Sequence, residues 1–314
     1  MANKKYCVMD IGGTKIFTFL IDDERNVLFK KMIPTRKSDD IEVFLAQLDD
    51  ALNQVSNQLT EGDELEAAGL SIAAFINYEE GTIYSAPNLP VKELFPLRNY
   101  LEKRWGIPVL MENDANAAVL GEVTCGAARG FSNVIYVTVS TGIGGGLYLD
   151  NKLYRGREGF AGEIGHMKQP HNDSICGCGK KGCLESIASG TAIELKGREL
   201  LNDSSLNTSD IFDLYKKEDK DAETTINNAI NSLGLTFANI ISLLNLDCIV
   251  IGGGVTKSGD FFINAIEEIM ENNISIPGMK KVELVKAALE PESGVWGVYS
   301  LLTAETGGES FGCS

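Results

Sequence analysis

An α/β fold with two lobes around a central cleft is the class this sequence predicts, on three observations. Apolar strand-like runs alternate with helical patterns along the chain. A strand-like run ends in a polar or glycine turn three times, at VMDIGGTK, VTVSTGIGGG and IVIGGGV, a faint internal echo. The 314 residues are enough for about two domains.

From the N-terminus, KYCVMDIGG is apolar up to Asp10, and Gly12-Gly13-Thr14-Lys15 leads straight into IFTFLID. That reads as strand, tight turn, strand. From Asp39 to Leu59 apolar residues recur at helical spacing behind a capping Ser or Asp. ELEAAGLSIAAFI holds a strand ending near Ala73, and residues 77–96, rich in Gly, Pro and Asn, read as loop. GIPVLMEN followed by AAVLGEVTCGAA is strand then helix. NVIYVTVSTGIGGGLYLDNKLY is strand, glycine loop, strand. Helical patterns cover Thr191 to Leu201 and Glu223 to Leu244. LDCIVIGGG is a strand entering a third glycine loop, GDFFINAIEEIMENN is helical, KKVELVKA is a strand, and ESGVWGVYSLLTAE is a last helix. The tail GGESFGCS is expected to fray. The lobes are expected over residues 1–118, completed by a C-terminal helix over 293–314, and over residues 119–292.

Hydrophobic residues at 44% and charged residues at 23% exclude global disorder. A net charge of −16 argues against a nucleic-acid partner held through its backbone. It leaves room for an anionic nucleotide cradled by backbone N–H groups. No apolar run approaches the roughly 20 residues that span a bilayer, and MANKKYCVMDIGGTK reads as a first strand, not a signal peptide, so no membrane partner is expected. Of seven cysteines, Cys7, Cys125, Cys248 and Cys313 are scattered, the pattern of a reducing compartment rather than a disulfide framework.

Three constellations carry chemistry. Gly12-Gly13-Thr14-Lys15 and Thr141-Gly142-Ile143-Gly144-Gly145-Gly146 fit either phosphate cradles or plain hairpin turns, and Asp10 before the first can hold Mg²⁺ through water. Asn113 and Asp114 stand where a strand gives way to a helix. There a polar residue either caps the helix or accepts a proton from a substrate hydroxyl, and the two neighbours can divide these jobs. His166, Cys176, Cys178 and Cys183, spaced H-x9-C-x-C-x4-C, form the closed donor set of a structural Zn²⁺ site. His171 is a rival imidazole in a polar loop and is expected to be solvated. Zinc pinning this loop would aim Glu163, Glu185 and the second nitrogen of His166 at one point, a ring of acceptors and donors that suits a polyhydroxy ligand such as a sugar.

DIGGTK, ENDANAAVLGE, STGIGGG, GEIGHM, CGCGKKGC followed by LE, and IVIGGGV together make nearly the whole chain resemble the ROK family of sugar kinases and sugar-responsive repressors. The resemblance implies an actin-like ATPase fold, with ATP and Mg²⁺ on Asp10, Gly12, Gly13, Thr14, Lys15, Thr141, Gly142, Gly144 and Gly145, and the adenosine near Gly253 and Gly254. It implies Asp114 as catalytic base, and Asn88, Asn113, Glu163, His166 and Glu185 as contacts to the sugar hydroxyls. It also implies a cytoplasmic homodimer. The expected reaction is ATP-dependent phosphorylation of a hexose, glucose first, with N-acetylmannosamine, N-acetylglucosamine and fructose as alternative acceptors. The competing reading is a non-catalytic sugar-sensing regulator. Repressors of the family carry a helix-turn-helix domain before the DIGGTK region, and Asp10 here stands only ten residues in. Ala73-Ala74 replaces the Pro-Gly of many relatives, a departure that touches the identity of the sugar and not the class of reaction, and Ser140 replaces a glycine, a smaller departure.

Overall fold

The structure, a computed structural model, describes residues 3–91 and 94–305. The elements run β1 (Asn3–Ile11), β2 (Lys15–Asp22), β3 (Val27–Pro34), α1 (Ile41–Ser56), β4 (Asp63–Ile72), β5 (Phe75–Asn77), β6 (Thr82–Ser85), α2 (Leu97–Trp105), β7 (Val109–Asn113) and α3 (Asp114–Thr124). They continue with β8 (Val134–Val139), β9 (Ile143–Leu149), β10 (Lys152–Tyr154), α4 (Glu185–Ala188), α5 (Gly190–Leu200), α6 (Thr208–Tyr215), α7 (Lys220–Leu244), β11 (Cys248–Gly252), α8 (Asp260–Asn273), β12 (Glu283–Lys286) and α9 (Ser293–Glu305).

One strand order occurs twice. The first sheet is β3-β2-β1-β4-β7 and the second β10-β9-β8-β11-β12. In the first, β1 pairs antiparallel with β2 and parallel with β4, which pairs parallel with β7. In the second, β8 pairs antiparallel with β9 and parallel with β11, which pairs parallel with β12. The echo in the sequence is therefore a repeated topology.

By contacts the chain divides into two units, residues 1–129, 153–161 and 291–314 in one and 130–152 and 162–290 in the other. A break at residue 118 would cut α3, which packs along α9 in the first unit, so the division falls after the helix. Close packing explains why α3 cannot be shared: a Cβ on Gly297 would stand 1.7 Å from the Ala117 carbonyl oxygen. In the first unit, β1 buries side chains on both faces, as a central strand must. Cys7 and Met9 join the cluster of α1 and α2, and Tyr6 and Val8 join the cluster of α3 and α9. Asp40 caps α1 by accepting the Glu42 N–H at 3.0 Å. The tail expected to fray lies outside the described residues.

Two local expectations change. Residues 77–96 are not all loop, because β5 and β6 form an antiparallel hairpin there. Only three residues turn the chain between β8 and β9; Gly144, Gly145 and Gly146 are strand residues, paired with Thr138, Val137 and Tyr136. Gly145 is small for a packing reason, since a Cβ there would meet the Gly162 carbonyl oxygen at 2.7 Å.

Candidate active site

In the first unit, three parallel neighbours end side by side. Asp10 on β1 is in register with Ser71 on β4, and Ser71 with Glu112 on β7. The strand ends thus gather polar groups where α/β folds place chemistry. Ser71 Oγ donates to Asp10 Oδ1 at 2.6 Å. One position on, Asn113 closes β7 and caps α3. Its Oδ1 accepts the N–H groups of Ala115 and Asn116 at 3.0 and 3.1 Å, and its Nδ2 donates to the Ala74 carbonyl at 3.2 Å. Asn113 takes the capping job, and Asp114, the first residue of α3, has its carboxylate held by the Ala115 N–H at 3.0 Å, by its own N–H and by the Asn113 side chain.

Electrostatics distinguish these carboxylates. Burial pushes the Asp10 carboxyl up, against the Ser71 hydrogen bond and the Lys15 charge. Burial, then the Asp10 charge, pushes Asp114 up to about 6, while the Ala115 N–H works the other way. Asp114 lies deep among protein atoms yet keeps part of its surface open to solvent. A carboxylate near 6 is still mostly ionised at neutral pH and basic enough to take a proton, the condition for a general base.

The turn after β1 closes with the Gly12 N–H donating to the Lys15 carbonyl at 2.9 Å. Thr14 and Lys15 are exposed, and the Lys15 ammonium lies 4.8 Å from the Phe17 ring centroid. Asn88 is exposed beside the turn, and Gly13 is needed there because a Cβ would fall 2.5 Å from the Asn88 Cβ.

In the second unit the corresponding turn is Ser140-Thr141-Gly142, closed by the Ser140 N–H donating to the Gly142 carbonyl at 2.9 Å. Glu185 sits against it: its Oε2 accepts the Ile143 N–H at 3.0 Å, and a Cβ on Gly142 would be 2.6 Å away. Its Oε1 receives the Cys176 thiol at 3.3 Å, so Glu185 ties the glycine turn to the cysteine cluster. Gly253 has φ +95 and packs on the Val139 backbone, and Gly254 is exposed at the head of a 3₁₀ turn. The Glu290 carboxylate accepts the Gly253 N–H and, at 3.1 Å, the Tyr136 hydroxyl.

His166, Cys176, Cys178 and Cys183 converge, with all four donor atoms within 4.8 Å of one another. Four ligands at about 2.0–2.3 Å on a tetrahedron put their atoms roughly 3.5–3.8 Å apart. Cys178 and Cys183 sulfurs are 3.7 Å apart, and Cys176 Sγ is 3.8 Å from His166 Nδ1. The donor set therefore fits zinc through Nδ1 of the imidazole. The other nitrogen, Nε2, faces Glu163 Oε2 at 3.8 Å. Lys168 Nζ donates to Cys183 Sγ at 3.2 Å. His171 is exposed and stays outside the cluster.

Sequence reasoning missed Glu112, Ser71 and Arg155. Glu112 is 2% exposed and bonded to Arg155 Nε at 2.7 Å. Its signal was legible: one acidic residue inside the apolar run VLMEN. Arg155 carried no local signal, because its partner lies 43 residues away.

Known proteins share this architecture. A ROK hexokinase from Thermus thermophilus superposes with a TM-score of 0.84 at 33% identity, over 96% of this chain and 100% of that one. A ROK family glucokinase from Streptomyces griseus, solved in complex with glucose and AMPPNP, gives 0.79 at 30% identity over 95% and 98%. A glucokinase from Halalkalibacterium halodurans is 35% identical over 286 residues, 86% of either chain. The fold is the actin-like ATPase fold of these neighbours. Residues 6–305 match the ROK family model, and the chain belongs to the ROK family.

Proposed function

We propose that this chain is an ATP-dependent hexose kinase whose first acceptor is glucose, giving glucose 6-phosphate. The observation that carries the reading is Asp114, an accessible carboxylate at the head of α3 whose acidity is set near neutrality by burial and by Asp10. Kinship with glucokinases supports the class of reaction.

Phosphoryl transfer asks the protein for alignment and charge control rather than covalent chemistry. Asp114 accepts the proton of the acceptor hydroxyl as that oxygen bonds to the γ-phosphorus. The bond from γ-phosphorus to the bridging oxygen breaks, and ADP leaves with its electron pair. Asn88, Asn113, Glu163, His166 and Glu185 hold the other sugar hydroxyls. Gly12, Gly13, Thr14 and Lys15, with Thr141, Gly142, Gly144 and Gly145, hold the phosphates, and Gly253 and Gly254 the adenosine. Asp10 would hold Mg²⁺, which when bound neutralises phosphate charge. Asp10, a carboxylate buried at a strand end with the Ser71 hydroxyl on Oδ1, fits such a cation. His166 Nδ1, Cys176, Cys178 and Cys183 would hold zinc, which when bound would leave the imidazole proton on Nε2 and keep the sugar-binding loop in place. A homodimer is the expected assembly, which mass measurement in solution checks.

The test is ADP release with Mg·ATP across glucose, mannose, fructose, N-acetylglucosamine and N-acetylmannosamine. Turnover highest on glucose supports the reading, and turnover highest on an N-acetylhexosamine moves the substrate. Sugar binding with no turnover on any of them supports the non-catalytic regulator instead.

A further inference from the structure

Glu112 stands next to the Asn113–Asp114 pair, and its carboxylate is fully engaged. Oε1 accepts the Asn113 backbone N–H and the Asn116 side-chain amide, both at 3.0 Å. Oε2 accepts Arg155 Nε at 2.7 Å. Asn116 is 2% exposed and its Oδ1 has no hydrogen-bond partner, an orientation that costs free energy. Flipping that amide would turn its oxygen onto the Glu112 carboxylate, so Glu112 fixes it. The first turn of α3 is thus tied to one buried carboxylate.

Arg155 is itself held. Its guanidinium lies 3.7 Å from the Tyr78 ring centroid, and the Tyr78 hydroxyl donates to Glu305. The rest of its segment is fastened to the β5–β6 hairpin. Phe160 packs edge-on against Phe75 and Tyr84, and Gly159, at φ +88, lies so close that a Cβ would stand 2.5 Å from the Ile76 carbonyl oxygen.

We propose that Arg155, acting through Glu112, is a positioning residue for Asp114: it neutralises the buried carboxylate beside the base and locks the turn that carries it. The proposal deepens the kinase reading and rests on it for the role of Asp114. Without Arg155, Glu112 is an uncompensated buried anion next to the base. Among the described residues, the charged groups on the elements beside Asp114 are Asp10 on β1, with Lys15 beyond it, the Glu112–Arg155 pair, and Glu122 further along α3, which accepts from the Ser293 hydroxyl and the Ala127 N–H. α9, which packs along α3, carries one charged residue, Glu305, at its far end.

The test is a carboxyl-carbon NMR titration of full-length protein labelled with ¹³C-aspartate. The Asp114 signal is identified by its loss in Asp114→Asn. A unit charge within about 10 Å at an effective dielectric near 20–40 moves a midpoint by about one pH unit or less. Arg155→Met is expected to raise the Asp114 midpoint, Glu112→Gln to lower it, and the double variant to restore it. Turnover should fall at least tenfold in Arg155→Met with KM for ATP unchanged, and Arg155→Lys should recover part of it. A folded Arg155→Met with an unmoved midpoint overturns the proposal. Should that variant fail to fold, Glu112→Gln decides: an unmoved midpoint there overturns it equally. The titration reads Asp114 whether or not the protein phosphorylates a sugar, so failure of the kinase reading shows separately, as absent turnover.

Discussion

The sheets β3-β2-β1-β4-β7 and β10-β9-β8-β11-β12 share a plan, and their first turns differ in chemistry. In each, three residues reverse the chain after the central strand, Gly12 to Thr14 in one and Ser140 to Gly142 in the other. The residue before the last of β1 is Asp10; at the same place in β8 stands Thr138. Asp114 follows β7, whereas β12, its counterpart, ends at Lys286. One backbone plan therefore supplies two glycine turns, while the acids proposed to move a proton and hold a cation occur in the first unit and the candidate metal cluster in the second. The repeat is a scaffold, and the reaction depends on side chains that break the repeat.

Removing the acid that breaks the symmetry has the largest expected effect. Asp114→Asn should lower turnover by about 10²–10⁴ while the fold is kept. In the wild type, the raised pKa of Asp114 is expected to give the pH profile its acid limb. The base must be unprotonated, so kcat/KM should be half-maximal near pH 6 and fall below it.

Next is the metal cluster of the other unit. Cys178→Ser removes one of four ligands, and metal affinity should drop about 10–100-fold or more. Metal analysis reads this directly. KM for the sugar should rise, since His166 and Glu185 lose a fixed loop, while turnover at saturating sugar changes less. Zinc retained in the variant would remove Cys178 from the ligand set.

Glycines that keep the two sheets' surroundings tight come third. Gly297→Ala places a Cβ against the Ala117 carbonyl and Gly145→Ala one against that of Gly162. Each should cost about 1–3 kcal/mol of stability, with Gly297 the more sensitive because its added Cβ would stand 1.7 Å from a carbonyl oxygen, against 2.7 Å at Gly145. Thermal melts measure both.

The smallest effect is a shift in titration, read on the metal-free protein. Asp10→Asn removes a like charge beside Asp114, so the Asp114 carboxyl followed by NMR should titrate below about 6. The same logic applies to stability. The folded-state pKa of Asp114 lies above its unfolded value, so its contribution favours the folded state below pH 4 and is lost as pH rises through about 6. Asp114→Asn should thus melt no lower than wild type at pH 7.5.

How much of this was legible in sequence follows from where each signal lives. Alternating apolar runs and turn residues give β1, β2, β4, β7, β8 and β11 because their burial pattern is local. The cysteine spacing gives the metal cluster for the same reason. Gly144 to Gly146 misled, since a glycine run reads as loop unless one knows that a neighbouring backbone presses on Gly145. The hairpin β5–β6 was hidden by its short strands and turn-rich composition. Glu112 and Arg155 were invisible as a pair because only tertiary structure brings them together. That Asn113 caps and Asp114 does not is a matter of side-chain geometry, which no local pattern separates.

The central claim is that Asp114 is the base of a sugar phosphoryl transfer. Its most direct test is the pH dependence of turnover on the best hexose, wild type beside Asp114→Asn, with Mg·ATP saturating. The account predicts a wild-type acid limb near pH 6 and a variant at least a hundredfold slower with that limb gone. A variant within a few fold of wild type, titrating on the same limb, would contradict it.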